Sequence, residues 1–432
     1  MPTNPPFHTK RPVYIVDGAR TPFLKARGKP GPFSASDLAV QAGRALLLRQ
    51  PFAADAFDEV VMGCVTPSEN EANIARIIAL RLGCGVAVPA WTVQRNCGSG
   101  MQAIDSAAQG IAQGRSHLVL AGGTEAMSRA PLLFNPEMAC WLGDLQAARS
   151  VLARIKVFSR FKPHFLSPII ALIQGLSDPL VGLNMGQTAE ILAYRFGITR
   201  EQMDAFAVRS HARLIEAQKK DLSEVMPIYT TKDQVFTADN GVRPETDIAA
   251  LAKLKPFFDK KFGLVTAANS SQITDGAALL ILASQEAVDQ YQLPILGRLV
   301  DTQWAALAPE VMGLGPVFAS TPILQRQKLA LADIDYWELN EAFAAQVLAC
   351  LAAWESDDFC QTQLHLPAAL GALDQTRLNV DGGAIALGHP VGASGARIVL
   401  HLLHVLKKRG GKRGLASLCI GGGQGGAMLV EV

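Results

Sequence analysis

Short runs of apolar, often β-branched residues recur along this chain, separated by longer stretches with apolar positions three and four residues apart. Residues 12–17, 59–65, 91–94, 117–121 and 278–283 are continuous apolar runs of strand length bounded by turn residues, and they read as buried strands. Residues 36–49, 73–82 and 100–113 carry the helical spacing. The pattern resumes with strand-like runs at 295–300, 335–339, 378–381, 414–420 and 427–430. Strands alternating with helices predict an α/β fold with a mainly parallel sheet, in which both faces of the sheet are covered.

A weak internal repeat sharpens this. Early in the chain a strand ends at Val93, a turn follows (Cys97-Gly98-Ser99-Gly100), a helix begins, and a strand leads to Gly122-Gly123 and Met127. Late in the chain a strand near Leu378 precedes Gly392-Ala393-Ser394-Gly395 and a helix, and a strand leads to Gly421-Gly422-Gly423 and Met428. Two copies of one βαβ-type half, residues 1–294 and 295–432, account for the pattern. Residues 130–262 break the alternation and read as a helix- and loop-rich insertion in the first half. Within it, residues 145–177 hold no acidic residue but carry Arg149, Arg154, Lys156, Arg160 and Lys162. On a helical wheel Val151, Ile155, Phe158 and Phe161 share one side and Arg149, Lys156 and Arg160 the other, with Pro163 as a stop. Such a segment suits a membrane surface or a partner groove, and equally a helix packed on its own protein with a solvated basic face.

Composition narrows the classes. With 49% hydrophobic residues the 432-residue chain can bury a large core. A net charge of +2 and 6% aromatics supply neither an electrostatic footprint nor a stacking platform for nucleic acid, so no nucleic-acid partner is expected. Residues 1–12 read as a loose polar arm without the marks of a targeting peptide, and no apolar stretch is long enough to span a membrane. Seven widely spaced cysteines fit neither a disulfide framework nor a zinc site, which points to a reducing, cytoplasmic setting and no metal.

Four positions stand out chemically. Cys97, in Asn96-Cys97-Gly98-Ser99-Gly100, follows a strand and precedes a helix, whose N-terminal dipole and free N–H groups are expected to lower its pKa. Taken alone it also fits a buried structural cysteine. His389, in Gly388-His389-Pro390 between glycine clusters, is poorly suited to core packing and could stand as a base beside a thiol. Cys419 closes a strand ahead of Gly421-Gly422-Gly423, whose bare N–H groups can form an oxyanion hole; the loop lacks the marks of a nucleotide-binding fingerprint. Asn340 ends an apolar strand in Leu339-Asn340-Glu341, where it can donate to an oxyanion, or cap a helix.

Taken together, these blocks resemble the thiolase family over nearly the whole chain, from Ala19-Arg20-Thr21-Pro22 to the C-terminus. Met185-Gly186-Gln187-Thr188-Ala189-Glu190 and the block from Asn269 to Ala277 extend the match. The resemblance implies duplicated βαβ halves in a five-layer α-β-α-β-α core with an inserted helical loop domain. It implies an acyltransferase of fatty-acid metabolism and β-oxidation, an acetyl-CoA C-acetyltransferase or C-acyltransferase, acting on acetoacetyl-CoA or longer 3-oxoacyl-CoA. Coenzyme A is then a substrate, with no tightly bound cofactor. By motif, Cys97 would be acylated and His389 would activate it. Cys419 would move a proton at the α-carbon of acetyl-CoA. Asn340 would fix a water in one oxyanion hole, and the N–H groups of Cys97 and Gly421 would make the other. Ser271, Ala267, Ile273, Met185, Phe258, Ala342 and Phe343 would line the coenzyme A arm. The block from Thr237 to Glu245, Ala267-Ala268-Asn269-Ser270-Ser271 and the basic loop ending at Pro168 are similar to the β subunit of trifunctional fatty-acid oxidation complexes. That likeness implies a homodimer or tetramer, a hydratase/dehydrogenase α subunit as partner, and peripheral membrane contact through 145–177. That subgroup usually carries His where Asn340 stands, and many thiolases carry His where Asn184 stands. A ketoacyl synthase-type condensing enzyme and a non-catalytic acyl-CoA or lipid-binding relative are the alternatives; the second thiol, Cys419, disfavours the first, and the presence of Cys97, His389 and Cys419 disfavours the second.

Overall fold

The computed structural model describes residues 11–220 and 222–432, so nearly all of the predicted N-terminal arm lies outside the described residues. The first half runs β1 (Val13–Arg20), α1 (Ala35–Leu47), β2 (Glu59–Gly63), α2 (Ile74–Leu82), β3 (Ala90–Val93), α3 (Ser99–Ala112), β4 (Leu118–Ala126) and, after the insertion, β5 (Thr274–Ala283). Local chemistry sets the ends. The Ser34 hydroxyl accepts from Asp37 N while the Asp37 carboxylate takes the Ser34 N–H, a reciprocal cap that starts α1. All ten residues of β5 are buried, and from Ala277 to Ala283 the strand is unbroken apolar.

Between β4 and β5 the insertion contributes α4 (Pro136–Ala147), α5 (Val151–Phe158), α6 (Ala171–Gly175), α7 (Met185–Arg195) and α8 (Arg200–Gln218). The second half follows with β6 (Gly297–Ala306), α9 (Gly315–Gln327), β7 (Tyr336–Leu339), α10 (Ala344–Glu355), α11 (Val391–Arg409), β8 (Arg413–Ile420) and β9 (Gln424–Glu431). The strands lie in the order β7-β8-β9-β6-β1-β5-β4-β2-β3. Read outward from the central β1–β6 pair, β1-β5-β4-β2-β3 mirrors β6-β9-β8-β7, so the repeat in the sequence is a repeat in space. The predicted strand at 378–381 is reduced to one parallel bridge, Leu378 with Trp337, at the place β3 holds in the first half.

The expectation of a mainly parallel sheet is corrected. Only β2–β3, β2–β4 and β7–β8 are parallel. β1–β5, β1–β6, β4–β5, β6–β9 and β8–β9 are antiparallel. Helices cover both faces of the sheet, so antiparallel strands here are as apolar as parallel ones, and apolar runs alone do not encode direction.

Alternate residues of each strand feed different layers. Val119 and Leu280 face α3 and α11, which pack against each other, and Leu418 meets them from the second half. Leu120, Leu279 and Ile281 point the other way, onto Leu38 of α1 and Ile78 of α2. Leu415 faces Val317 of α9 and Val347 of α10. The result is helix, sheet, helix, sheet, helix. In the middle layer α3 and α11 touch end to end. A Cβ on Gly395 would lie 2.6 Å from Met101 N, and one on Gly100 2.7 Å from Gly392 O, so only glycine permits that approach.

In the insertion most of the apolar side of α5 lies outside the core. Only Val157 of α5 is buried, while Val151 (74%), Leu152 (80%), Ile155 (59%) and Phe158 (56%) are exposed. Trp141 of α4 holds the helix, its Nε1 donating to Val157 O at 2.9 Å and its ring meeting Phe158 and Phe161 edge-on. The apolar side meets the protein itself only through Phe158 and Phe161, and Val151, Leu152 and Ile155 stay exposed. Among the described residues no helix is long and apolar enough to cross a membrane, and no group of side chains is arranged to hold a metal ion.

Candidate active site

The ends of α3 and α11 that meet at Gly100 and Gly395 bring the two candidate regions together. Cys97 stands two residues before α3, after Asn96, whose φ of +43° makes the sharp turn. Asn96 Nδ2 donates to Gly421 O at 2.8 Å, which ties the cysteine turn to the glycine turn after β8. The backbone N–H groups of Gly421 and of Cys97 itself both point at the Cys97 sulfur. Two convergent N–H donors beside a nucleophile form the geometry of an oxyanion hole.

The expected low pKa of Cys97 is corrected. Burial pushes the thiol above its ordinary value; the two N–H groups pull the other way and do not overcome it, and the Glu125 carboxylate adds to the rise. The dipole at the start of α3 does not leave a resting thiolate. Cys419, the penultimate residue of β8, is fully buried and pushed well above the ordinary value by burial and then by its proximity to Cys97 and Cys350. Both thiols rest protonated, so Cys97 needs a base.

His389 is the candidate that the sequence offers. Burial, and then the Arg397 charge, bring its pKa down to about 4, so the ring is neutral at neutral pH. Its backbone N–H donates to Gln272 O at 3.0 Å, and its Nδ1 lies 2.6 Å from Ser394 Oγ. Nε2 is buried and has no hydrogen-bond partner, and no hydrogen bond joins it to Cys97. Asn340 follows β7 directly, held by its N–H to Ser417 O at 2.9 Å. Its side-chain Oδ1 and Nδ2 are likewise buried without partners. The helix-cap alternative falls, because α10 starts at Ala344 with Phe343 in the capping place. Unsatisfied buried polar atoms cost about 1–3 kcal/mol each, and their concentration here marks groups built to meet a ligand.

A pit of about 60 Å³ opens on Cys97, walled by Val65, Met127, Leu172, Leu176, Met185 and Val391. The sequence-chosen residues for the coenzyme A arm gather beside it. Ser271 N donates to Ala342 O at 2.9 Å, and Ser270 bridges Phe343, so these two loops run side by side. Phe258 stacks edge-on against Phe343 with centroids 5.8 Å apart. Phe258 also lies flat on α7, where a Cβ on Gly186 would fall 2.1 Å from its ring. Met185 lines the pit, while Ala267 and Ile273 are exposed on the loop that carries Ser271. A wider recess of about 440 Å³, lined by Lys220, Glu224, Asp381 and His401, lies further along α11 and holds no cysteine.

Three contributors were not singled out from the sequence. α6 of the insertion covers the pit with Ala171, Leu172 and Gly175, although the sequence marks this stretch only as a short apolar run. Glu125, at the end of β4, accepts from Val65 N and Thr66 N at 2.9 Å and from Gly392 N at 3.0 Å. One carboxylate thus fastens a wall of the pit to the first turn of α11. Ser394 sits in a glycine-rich helix start that draws attention to its glycines.

Comparison with known proteins agrees with this geometry. Residues 13–286 match the family model of the thiolase N-terminal domain, and residues 293–432 that of the thiolase C-terminal domain. A 3-ketoacyl-CoA thiolase of Serratia proteamaculans is 40% identical over 424 residues, covering 97% of each chain. The crystal structure of human mitochondrial 3-ketoacyl-CoA thiolase in complex with CoA superposes with a TM-score of 0.82 at 38% identity, covering 98% of each chain. The Bacillus anthracis acetyl-CoA acetyltransferase superposes at 0.83 with 35% identity, again over 98% of each. With family models matched over residues 13–286 and 293–432 and a relative 40% identical over 97% of the chain, the chain belongs to the thiolase family.

Proposed function

We propose that this thiolase transfers acyl groups to and from coenzyme A through a Cys97 acyl-enzyme, cleaving acetoacetyl-CoA or longer 3-oxoacyl-CoA to acetyl-CoA, and condensing in reverse. The observation that carries the reading is the pairing of two protonated thiols with the unpartnered atoms of His389 and Asn340. In cleavage, His389 Nε2 takes the Cys97 proton and the sulfur attacks the 3-oxo carbon. The negative oxygen forms against the N–H groups of Cys97 and Gly421. The carbon–carbon bond breaks, and the departing acetyl-CoA enolate takes a proton from the Cys419 thiol, its charge met by His389 and by a water held on Asn340. The Cys419 thiolate then takes the proton of a second CoA thiol, whose sulfur attacks the Cys97 thioester and carries off the shortened acyl group, and the released Cys97 sulfur recovers its proton from His389. Ser271, Met185, Phe258, Ala342 and Phe343, with Ala267 and Ile273 at the exposed rim, are the proposed seat of the pantetheine arm, as mostly apolar walls suit a long flexible ligand.

Mixing the purified protein with acetoacetyl-CoA and CoA and following loss of the 3-oxoacyl absorbance tests this. Turnover that disappears in Cys97→Ala is expected; an inactive wild type, or a Cys97→Ala variant as active as wild type, overturns it.

A second reading concerns the insertion. The exposed Val151, Leu152, Ile155 and Phe158 beside Arg149, Lys156 and Arg160 support peripheral contact of residues 145–177 with an anionic membrane. Sedimentation with anionic vesicles, weakened by salt and by charge reversal at the three basic positions, is the expected result, and equal binding to neutral vesicles refutes it. A cytoplasmic setting is supported by the seven free thiols, two of which the chemistry needs reduced. Assembly as a homodimer or tetramer, and pairing with a hydratase/dehydrogenase α subunit, rest on the family resemblance.

A further inference from the structure

The orientation of the His389 ring is set by one neighbour that the reaction scheme leaves out. Ser394, fully buried in the first turn of α11, has its Oγ 2.6 Å from His389 Nδ1 and 3.0 Å from Pro390 O. Pro390 O, which also takes the Ala393 and Ser394 N–H groups, can only accept, and a hydroxyl proton directed to it is not available to Nδ1. The lone pair of Ser394 Oγ then faces Nδ1, and a hydrogen bond forms there only if Nδ1 carries the ring proton. Nε2 is left with its lone pair, buried and without a partner.

We propose that Ser394 is a positioning residue that fixes the Nδ1–H tautomer of His389 and thereby leaves Nε2 as the atom that takes the Cys97 proton. The inference rests on the reading of His389 as the base. In the step itself the S–H bond of Cys97 breaks and an N–H bond forms at Nε2. Nδ1–H keeps donating to Ser394 throughout, so the ring needs no rotation and no second proton transfer.

The identity of the orienting group matters. A carboxylate in this place would hold charge on the imidazolium and raise the proton affinity of the ring. A hydroxyl that is already committed to a carbonyl orients the ring without doing so. The charge that acts on His389 is instead the cation of Arg397, which opposes protonation and agrees with a neutral resting ring. The proton taken from Cys97 is therefore weakly held and free to be passed on. The ring is anchored on its main-chain side as well, by His389 N to Gln272 O and by Gly388, whose φ of +108° is open to glycine and strained for other residues.

The test begins with the wild-type protein, labelled with ¹⁵N-histidine and studied at neutral pH by two-bond ¹H–¹⁵N correlation, with the His389 signals assigned by their loss in His389→Asn. The expected spectrum has a protonated Nδ1 and an unprotonated Nε2. An Nε2–H ring in wild type overturns the proposal whether or not the enzyme is a thiolase. In Ser394→Ala the ring is expected to populate both tautomers. The variant should lose about tenfold or more in kcat, with the KM for CoA and the melting temperature near wild type. Ser394→Thr, which keeps the hydroxyl, should recover the wild-type tautomer. A Ser394→Ala variant with an unchanged ring spectrum and unchanged kcat also overturns it. Failure of the thiolase reading would show differently, as a wild type that does not turn over acetoacetyl-CoA.

Discussion

Replacing His401 with Gln perturbs a largely buried charge cluster. His401 Nδ1 lies 2.8 Å from Glu224 Oε1, and its Nε2 lies 3.6 Å from Asp381 Oδ2 and 4.0 Å from Glu338 Oε1. Arg20 binds Asp239 at 2.7 Å and approaches Glu224 at 3.7 Å, Arg397 binds Glu338 at 2.9 Å, and Arg409 binds Asp381 at 2.7 Å. Arg20, Arg397 and Arg409 thus pair with these four carboxylates, and a protonated His401 adds a further cation beside Glu224, Glu338 and Asp381. Burial alone would strip that proton; Glu224 first, then Glu338 and Asp381, outweigh burial and hold the His401 pKa above its ordinary value. Burial would likewise raise Glu224, yet His401 and Arg20 hold it far below the usual carboxylate range. A histidine whose pKa is raised by folding contributes stability fully below its unfolded value, about 6.5, and loses that contribution as pH rises through the folded value. Gln retains a donor for Glu224 but removes the cation beside these carboxylates, at a cost of about 3–5 kcal/mol near pH 6. Unfolding entropy of about 2 cal/mol/K per residue amounts to about 0.9 kcal/mol/K for this chain, so the melting temperature should fall by about 3–5 °C. Calorimetry of both proteins from about pH 6 to about pH 9 should show that gap narrowing as pH rises. Equal melting temperatures near pH 6, or a gap that widens with pH, would refute this charge pairing.

Two further outcomes follow from the geometry. Cys419→Ala should still accept an acetyl group on Cys97, visible as a mass increase of the intact protein, while overall turnover falls by about 100-fold or more; undiminished turnover removes Cys419 from the proton step. Gly395→Ala drives a Cβ into Met101 N, a backbone atom that cannot swing aside, so it should lower stability by about 1–3 kcal/mol and reduce activity by parting α3 from α11; an unfolding midpoint and kcat equal to wild type would contradict that contact.

The sequence by itself determined a good deal. Apolar runs located β2, β7 and β8 to within a few residues, because a strand buried on both faces leaves few positions free to be polar, and they located β3 as well, though it is only partly covered. The short match around Cys97 and its counterpart near Gly395 disclosed the repeat, because the two helices must approach at the same kind of glycine in each half. Cys97, His389 and Cys419 stood out as candidates because polar or nucleophilic side chains beside glycine turns leave an irregular local signal, and Asn340 because it closes an apolar strand.

Other features were decided by tertiary structure alone. Strand direction was one, since antiparallel strands covered on both faces carry the same apolar signature as parallel ones. The state of Cys97 was another: local sequence offered a helix dipole, but the depth of the pit and the nearness of Glu125 set the opposite shift. The placement of the insertion's apolar side was a third: Val157 is the one buried residue of α5, while Val151, Leu152 and Ile155 lie exposed, which a helical wheel does not show. The pairings of Ser394 with His389, Glu125 with Gly392, and His401 with Glu224, Glu338 and Asp381 depend on where folded elements meet. A proton's position is decided by partners within about 3 Å, and chain order alone does not say which those partners are.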